Sequence, residues 1–296
     1  MKGFQINKIL IPADFSATGS IAVEHAAFMA RLNRASLYLM HSIEIAETSF
    51  TIYNPVSARR DLQQIEEMAD VQLNNLADKL RKEYGITVFT ICTRGKVPAE
   101  VTLMVKENDI DIVVMGTHGT GWVNEFFLGS NAHKIVTLCK CPVITVQAHA
   151  GKPGMSTIVL PIYDSMHSRQ KVDYTIYLAK VYAAKIHLVG LSDKNSDQVK
   201  LKQKVASVEK VIAHAGIPFQ TKIIKADNPA SKVLKYAEKI ETDLIVVLTN
   251  HESELSGMFL GAFAKQIVNH SRVPVMSIRP VEGTYEALAL SAAIPF

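Results

Sequence analysis

Cysteine is scarce in this chain, with only Cys92, Cys139 and Cys141 among 296 residues. So few cysteines exclude a disulfide framework and indicate a reducing compartment, so we expect a cytoplasmic protein. Cys139 and Cys141 flank one lysine and follow His133, which is half of a metal-binding pattern. No second cysteine pair completes the pattern, and Cys141 precedes Pro142 at a predicted strand entrance. We therefore interpret the cysteines as core residues.

Long apolar runs and clusters of one charge are also missing. No uncharged apolar stretch reaches the ~18 residues that a membrane span needs, and the apolar segment 287–296 is too short. Residues 1–16 lack an apolar segment ahead of a small-residue cleavage site, so no signal peptide is expected. The net charge of +4 comes from 32 basic and 28 acidic residues without a Lys/Arg run. We expect neither a membrane nor a nucleic acid as partner.

Alternating strand-like and helix-like segments make up the first half of the chain. Apolar runs predict strands at about 8–12, 36–42, 86–93 and 142–147, with another beginning near Asp111. Apolar positions at helical spacing predict helices at about 20–32, 57–83, 98–107 and 130–138. This alternation predicts an α/β fold with a doubly wound parallel sheet of five strands, covered by helices on both faces.

The same pattern then starts again. The strand at 8–12 has its echo at 157–161, 149 positions later, and Pro142 corresponds to Pro274, 132 positions later. Residues 148–154 between the copies have the composition of a linker. The chain is thus predicted to be an internal duplication with domains at 1–147 and 155–281, followed by a C-terminal tail at 282–296.

A glycine-rich loop follows the predicted strand that begins near Asp111. Gly116 and Gly119 are separated by two residues, and nine more precede Gly129 and Ser130. Glycine lets backbone N–H groups approach an anion closely, and a helix beginning at Ser130 would add free N–H groups. The spacing predicts a phosphate-binding loop. A tight turn before a capped helix, or a loop that has lost its ligand, are the alternatives.

Two features of the loop limit its chemistry. A Walker A loop carries a lysine directly after its last glycine, and none is present in this sequence. Efficient phosphoryl transfer would therefore lack its usual charge partner. His118 lies between the first two glycines and is close enough in sequence to contact a phosphate, but we favour a solvated loop histidine.

The second copy of the loop has lost the glycine pair. Aligned 132 positions later, the residues at the four positions are Leu248, His251, Gly261 and Ala262. Glu252 and Glu254 also enter the second loop, and their carboxylates would repel a polyphosphate. We expect one nucleotide site, in the first half.

Asp14 ends the first predicted strand. In doubly wound sheets ligands bind beyond the carboxyl ends of the strands, at the point where strand order reverses. The Asp14 carboxylate can accept a hydrogen bond from a ribose hydroxyl or an adenine amino group, or hold a phosphate-bound Mg²⁺. It is also a candidate helix N-cap, together with Ser16 and Thr18. The second copy has Tyr163 at this position.

These residues resemble the universal stress protein family. The resemblance rests on the stretches KILIPADFS (8–16), LYLMHS (37–42), DIVVMGTHGTGWVNEFFLGSNAHKIV (111–136) and CPVITV (141–146), and it is stronger in 1–147 than in 155–280. It implies a Rossmann-like, adenine-nucleotide-binding sheet of order 3-2-1-4-5 in each copy, with the copies forming a pseudo-dimer. It also implies a cytoplasmic, often regulatory stress-response role.

The resemblance further implies one ATP in the first copy. Adenine and ribose would contact Pro12, Ala13, Asp14 and Ser42, mostly through backbone, and the phosphates would contact Gly116, His118, Gly119, Gly129, Ser130 and Asn131. Any Mg²⁺ would arrive with ATP and contact Asp14. The partners are thus an adenine nucleotide and, as a candidate assembly, a homodimer of tandem chains.

Three functions remain open from the sequence. The first is an ATP-binding regulatory module with weak hydrolysis or none. The second is a slow Mg²⁺-dependent ATPase or hydrolase on the same scaffold, with Asp14 holding the metal and Ser130 contacting the phosphates. The third is a nucleotide-free scaffold with a ligand or partner site in the second half. The glycine spacing favours the first.

Overall fold

The computed structural model describes residues 4–44, 55–117, 128–163, 170–192, 198–249 and 260–280. The tail at 282–296 lies outside these residues. Ten strands and eight helices alternate along the described chain. The first half comprises β1 (Lys8–Pro12), α1 (Ala17–Asn33), β2 (Ser36–Ile43), α2 (Pro55–Tyr84), β3 (Val88–Arg94), α3 (Val97–Glu107), β4 (Ile112–Gly116), α4 (Ser130–Leu138) and β5 (Val143–Val146).

The second half repeats this order. It comprises β6 (Thr157–Ile162), α5 (Gln170–Tyr182), β7 (Lys185–Ser192), α6 (Gln198–His214), β8 (Phe219–Lys225), α7 (Pro229–Lys239), β9 (Leu244–Leu248), α8 (Ala262–His270) and β10 (Val275–Ile278). Among the described residues, no helix is long and apolar enough to cross a membrane.

All ten strands form one sheet, in the order β3-β2-β1-β4-β5-β10-β9-β6-β7-β8. Within each half the pairing is parallel, and the first half has the expected order 3-2-1-4-5. The α/β fold with two tandem sheets is confirmed. The two five-stranded sheets are also continuous, because β5 and β10 pair antiparallel with Thr145 opposite Val275.

The helices cover both faces of this sheet. Buried apolar residues form two clusters, one on each face of the sheet. Successive strand residues face opposite sides, so Ile9 belongs to one cluster and Leu10 to the other. The first cluster lies under α1, α2, α5 and α6, and the second lies under α3, α4, α7 and α8. Such two-sided burial explains why the strands read as continuous apolar runs.

Ser16 determines where α1 begins. Its hydroxyl oxygen accepts a hydrogen bond from the backbone N–H of Gly19 at 2.9 Å, so Ser16 is the N-cap among the three candidates in the sequence. The helix consequently begins at Ala17, one turn earlier than its apolar spacing predicted. It ends at Asn33, where Arg34 adopts the left-handed conformation (φ 54°).

Side chains also tie the two halves together outside the sheet. The Tyr177 hydroxyl accepts a hydrogen bond from the Ile6 N–H at 3.1 Å and donates one to Asn33 Oδ1 at 2.6 Å. Across the other face, Arg279 Nη1 donates to the carbonyl oxygen of Leu138 at 3.3 Å. The second half therefore contacts the first on both faces of the sheet.

Candidate functional site

The point of strand reversal lies between β1 and β4, which pair in parallel with Ile9 opposite Ile112. Because the carboxyl ends of parallel strands meet at one edge, the residues that follow β1 and β4 lie close together. This edge carries Pro12, Ala13 and Asp14 after β1 and Gly116 at the end of β4. Ser42, at the end of β2, and the start of α4 belong to the same edge.

Strand β2 holds the segment that follows β1. The Ala13 N–H donates to the Met40 carbonyl oxygen at 2.7 Å, and His41 Nδ1 donates to the Ala13 carbonyl oxygen at 2.7 Å. Phe15 then adopts a positive φ of 57°, with its ring centroid 4.9 Å from that of His41. Such a conformation in a bulky residue is held by its surroundings, which fixes the direction of the turn carrying Asp14.

Asp14 uses one carboxylate oxygen to brace this turn. Its Oδ1 accepts hydrogen bonds from the Ser16 N–H at 2.9 Å and the Ser16 hydroxyl at 2.7 Å. Asp14 thus supports the N-cap residue without being the N-cap itself. No hydrogen bond to its Oδ2 is found among the described residues, which leaves that atom able to accept one from a ligand hydroxyl.

Gly116 allows β4 to approach the start of α1. A Cβ atom at this position would lie 3.2 Å from Thr18 Cγ2 and 3.4 Å from the backbone nitrogen of Gly19. Both distances are shorter than most contacts that a Cβ atom makes in proteins. The glycine therefore serves a close approach between two elements, in addition to any contact that it makes with a ligand.

The two described ends of the glycine-rich loop are fastened to each other. The Gly129 N–H donates to the Thr117 carbonyl oxygen at 2.9 Å, and the Thr117 N–H donates to the Val146 carbonyl oxygen at 3.0 Å. His118 and Gly119 lie between these ends and outside the described residues. The loop thus leaves and re-enters the fold at one point of the sheet edge.

Helix α4 begins at Ser130, as the sequence predicted, and no side chain in the described part of the chain caps it. Gly129 is its N-cap, in an extended conformation with φ −56° and ψ 152°. The N–H groups of the first turn, at Ser130 and Asn131, are consequently suited to bind an anion. Burial, then the charge of Lys265, lowers the pKa of His133, so this neighbouring imidazole is neutral near pH 7.

The Ser42 hydroxyl already has a structural partner. It donates to the Gly95 carbonyl oxygen at 2.7 Å, while the Gly95 N–H donates to the Ile43 carbonyl oxygen at 3.1 Å. These bonds fix the turn between β3 and α3. With its hydroxyl proton committed, Ser42 can offer a ligand its backbone groups and the hydroxyl lone pairs.

Sequence reasoning missed Thr117 and His41, whose hydrogen bonds fix the backbone of the site at Gly129 and Ala13. A signal for Thr117 was present, because a threonine also follows the matching strand in the second half. There the carbonyl oxygen of Thr249 accepts the Gly261 N–H at 2.7 Å, in the same arrangement. His41 had no such signal, since the second half has Gly190 at its position.

The equivalent edge of the second half is filled by two aromatic rings. Tyr163 and Phe263 pack edge to face, with ring centroids 4.9 Å apart. Tyr163 occupies the position of Asp14, and Phe263 occupies the position of Asn131. A carboxylate and an amide of the first half are thus replaced by aromatic side chains at these two positions. The loop residues His251, Glu252 and Glu254 lie outside the described residues.

The cysteine pair lies in the packed interior, with Cys139 in the second buried cluster and Cys141 packed against it. Cys139 is 1% exposed, and all three cysteines are free thiols. The hydrogen bond with Cys139 and, next, burial raise the pKa of Cys141 far above its ordinary value, so it stays protonated. Within the described ranges no three His, Cys, Asp or Glu side chains are grouped to hold a metal ion.

Solved structures with this architecture come from several organisms. A universal stress protein from Archaeoglobus fulgidus has a TM-score of 0.73 at 19% identity and covers 95% of this chain and 98% of its own. A putative universal stress protein from Pseudomonas aeruginosa has a TM-score of 0.67 at 15% identity, covering 97% and 98%. At these identities the likeness demonstrates the shared fold.

Sequence relatives match single copies. The chain is 27% identical over 153 residues to universal stress protein MJ0577 of Methanocaldococcus jannaschii, which covers 47% of this chain and 94% of the relative. It is 26% identical over 146 residues to universal stress protein YxiE of Bacillus subtilis, which covers 48% and 99%. The model of the universal stress protein family matches twice, at residues 5–147 and 155–279. The chain therefore belongs to the universal stress protein family, with two copies of the family's domain in tandem.

Proposed function

We propose that the protein is a cytoplasmic stress-response regulator that binds one ATP per chain, at the β1–β4 edge of its first half. The observation that carries the proposal is the contrast between the two halves. Among the described residues, the first half has no side-chain cap on the helix that begins at Ser130 and no hydrogen bond to Oδ2 of Asp14. The second half has Tyr163 packed on Phe263 at the corresponding positions.

The residues divide between the parts of the nucleotide. Asp14 Oδ2 accepts a hydrogen bond from a ribose hydroxyl or the adenine amino group, beside the backbone of Pro12, Ala13 and Ser42. The phosphates lie against the glycine-rich loop and the first turn of α4, at Gly116, His118, Gly119, Gly129, Ser130 and Asn131. Where Mg²⁺ accompanies ATP, the carboxylate of Asp14 would hold it.

Family membership supports this proposal, because the resemblance to this family implies ATP bound at the glycine-rich loop of the first copy. The same proposal includes the domain limits 1–147 and 155–281 and a homodimer of tandem chains. The three free thiols fit a reducing cytoplasm.

A matched pair of glycine substitutions tests the site. Gly129 and Gly261 precede α4 and α8 with nearly identical backbone angles, at φ −56°, ψ 152° and φ −56°, ψ 150°. Valine is compatible with both conformations and fills the space where a phosphate would approach the backbone. Equilibrium dialysis with ATP should give one site for the unchanged chain and for Gly261→Val. Gly129→Val should bind at least tenfold more weakly.

The stability of both variants should be measured by urea denaturation, because equal shifts exclude unfolding as the cause. Two ATP sites per chain, no binding, or equal loss in both variants would contradict the proposal.

A further inference from the structure

A groove of about 760 Å³ lies between α3 and α4 and opens at the candidate nucleotide site. Ser130 and Asn131 line one end of the groove, so it continues from the proposed phosphate position. Both helices start at the carboxyl edge of the sheet and run away from it, so the groove follows them. Its volume is typical of a small-molecule pocket.

Three lysines line this groove, namely Lys96, Lys106 and Lys134. Throughout the described part of the chain, none of their ammonium groups forms an ion pair or a hydrogen bond with the protein. Glu44, the acidic lining residue, accepts a hydrogen bond from the Val97 N–H at 3.2 Å and is thereby directed to the start of α3. With three lysines and one glutamate in its lining the groove carries a net positive charge, and within the described ranges the three ammonium groups have no protein partner.

The lysines are spaced along the groove. Ser130, Lys134 and Leu138 follow one another at intervals of four residues and so share one face of α4. At about 1.5 Å per residue this face extends for about 12 Å. Lys106 lies in the last turn of α3, at the end opposite Ser130. A ligand that leaves Ser130 along the groove therefore meets positive charge over its whole length.

The second half provides an internal comparison. Helices α3 and α7 have equal length and match at an offset of 132. At that offset Asn228, Glu238 and Gln266 stand where the first half has Lys96, Lys106 and Lys134. All three positive charges are absent from the half that has also lost the glycine pair.

We propose that the α3–α4 groove binds a chain of phosphates that starts at Ser130 and runs past Lys134 towards Lys106. The chain has two sources: the tail of an adenine nucleotide with more than three phosphates, or free inorganic polyphosphate. The nucleotide source rests on the proposed function, and the inorganic source does not. The anionic oxygens that repeat along a phosphate chain match ammonium groups spread along the groove, and an apolar ligand would leave these charges unpaired.

Calorimetric titration with ATP, adenosine 5′-tetraphosphate and inorganic tripolyphosphate tests this proposal on the full chain. The variant is Lys106→Ala with Lys134→Ala. The control is Lys235→Ala with Lys239→Ala, which removes two lysines from α7 and keeps the same net charge. At low salt the tetraphosphate should bind about tenfold more tightly than ATP, as for one or two favourable charge contacts. The advantage should vanish in the α3–α4 variant alone, where ATP affinity is unchanged.

Each result decides between the two proposals. Lysine-dependent binding of tripolyphosphate to the ATP-free chain would support the inorganic source, and saturating ATP should weaken this binding because both ligands occupy Ser130. If tripolyphosphate binds in this way but ATP does not bind at all, the groove proposal stands and the proposed function fails. If ATP binds, and the binding of neither the tetraphosphate nor tripolyphosphate depends on Lys106 and Lys134, the groove proposal is overturned and the proposed function stands. Equal losses in the α7 control would also overturn it.

Discussion

Tyr163 and Phe263 pack edge to face at the edge of the second half that matches the candidate site, with centroids 4.9 Å apart. In the first half the same two positions hold Asp14 and Asn131. The exchange replaces two polar groups by an aromatic pair, a contact that stabilises a fold by about 0.5–1.5 kcal/mol beyond the area it buries. The second half thus has a packing interaction where the first half has two polar side chains.

Truncating this pair should separate stability from binding. Phe263→Ala should lower the free energy of unfolding by about 2 kcal/mol, because a partly buried ring is lost and Tyr163 loses its partner. ATP stoichiometry should stay at one per chain. Urea denaturation and equilibrium dialysis measure the two effects. Asn131→Ala is the matched change in the first half, expected to weaken ATP binding with little effect on stability, and the reverse pattern would refute this division.

Lys171 should make stability depend on pH. Its side chain is 3% exposed, and burial lowers its pKa from 10.5 to about 7. The unfolded chain then binds more protons than the folded chain between about pH 7 and the ordinary lysine value, so stability rises with pH across that window. Each pKa unit corresponds to about 1.4 kcal/mol.

Lys171→Met should therefore raise the unfolding temperature at pH 7 by several degrees and gain much less at pH 10. Thermal denaturation between pH 6.5 and 10 measures this difference. Lys180→Met changes an exposed lysine of the same helix and is the control. An unchanged pH slope in Lys171→Met would show that this amine is solvated.

Gln147 and Arg279 occupy equivalent positions beside the β5–β10 junction, with different results. Arg279 donates a hydrogen bond to Leu138, whereas both polar side-chain atoms of the buried Gln147 lack a partner among the described residues. Gln147→Leu should raise the free energy of unfolding by about 1 kcal/mol, since a desolvated amide is removed. Arg279→Leu should lower it by a similar amount. Urea midpoints that move in the same direction would contradict this account.

The Tyr177 hydroxyl should contribute to the contact between the halves. It bonds Ile6 and Asn33 at once, so Tyr177→Phe should cost about 1–2 kcal/mol by leaving their polar groups without a protein partner. Tyr174 packs on the same ring of Phe4 but has no hydrogen bond from its hydroxyl in the described region, so Tyr174→Phe is the control. Equal denaturation curves for the two variants would show that the bonds of Tyr177 are not stabilising.

Much of the fold follows from local patterns in the sequence. Apolar runs and glycine spacing predicted the alternation of strands and helices and the start of α4 at Ser130, because these depend on neighbours along the chain. The strand order came from the family resemblance. The N-cap of α1 did not follow, since Asp14, Ser16 and Thr18 all suit a cap and only the actual turn selects Ser16.

Long-range contacts account for what the sequence left open. The antiparallel β5–β10 pairing and the contact of Tyr163 with Phe263 join residues that are far apart in the chain. The burial of Lys171 depends on how its helix lies on the sheet. The lysines of the groove belong to two helices, so their alignment is visible only after α3 packs beside α4.

The β5–β10 pairing determines whether a first half pairs with a second half or with another copy of itself. Each half alone would expose an unpaired edge strand, β5 or β10, and such edges associate with any matching partner. Two separate polypeptides of nearly equal edges would form like and unlike pairs, with unlike pairs making up only about half. Joining the halves in one polypeptide makes every molecule an unlike pair. The covalent connection therefore fixes a composition of one copy of each kind that mixing of free subunits would not reach.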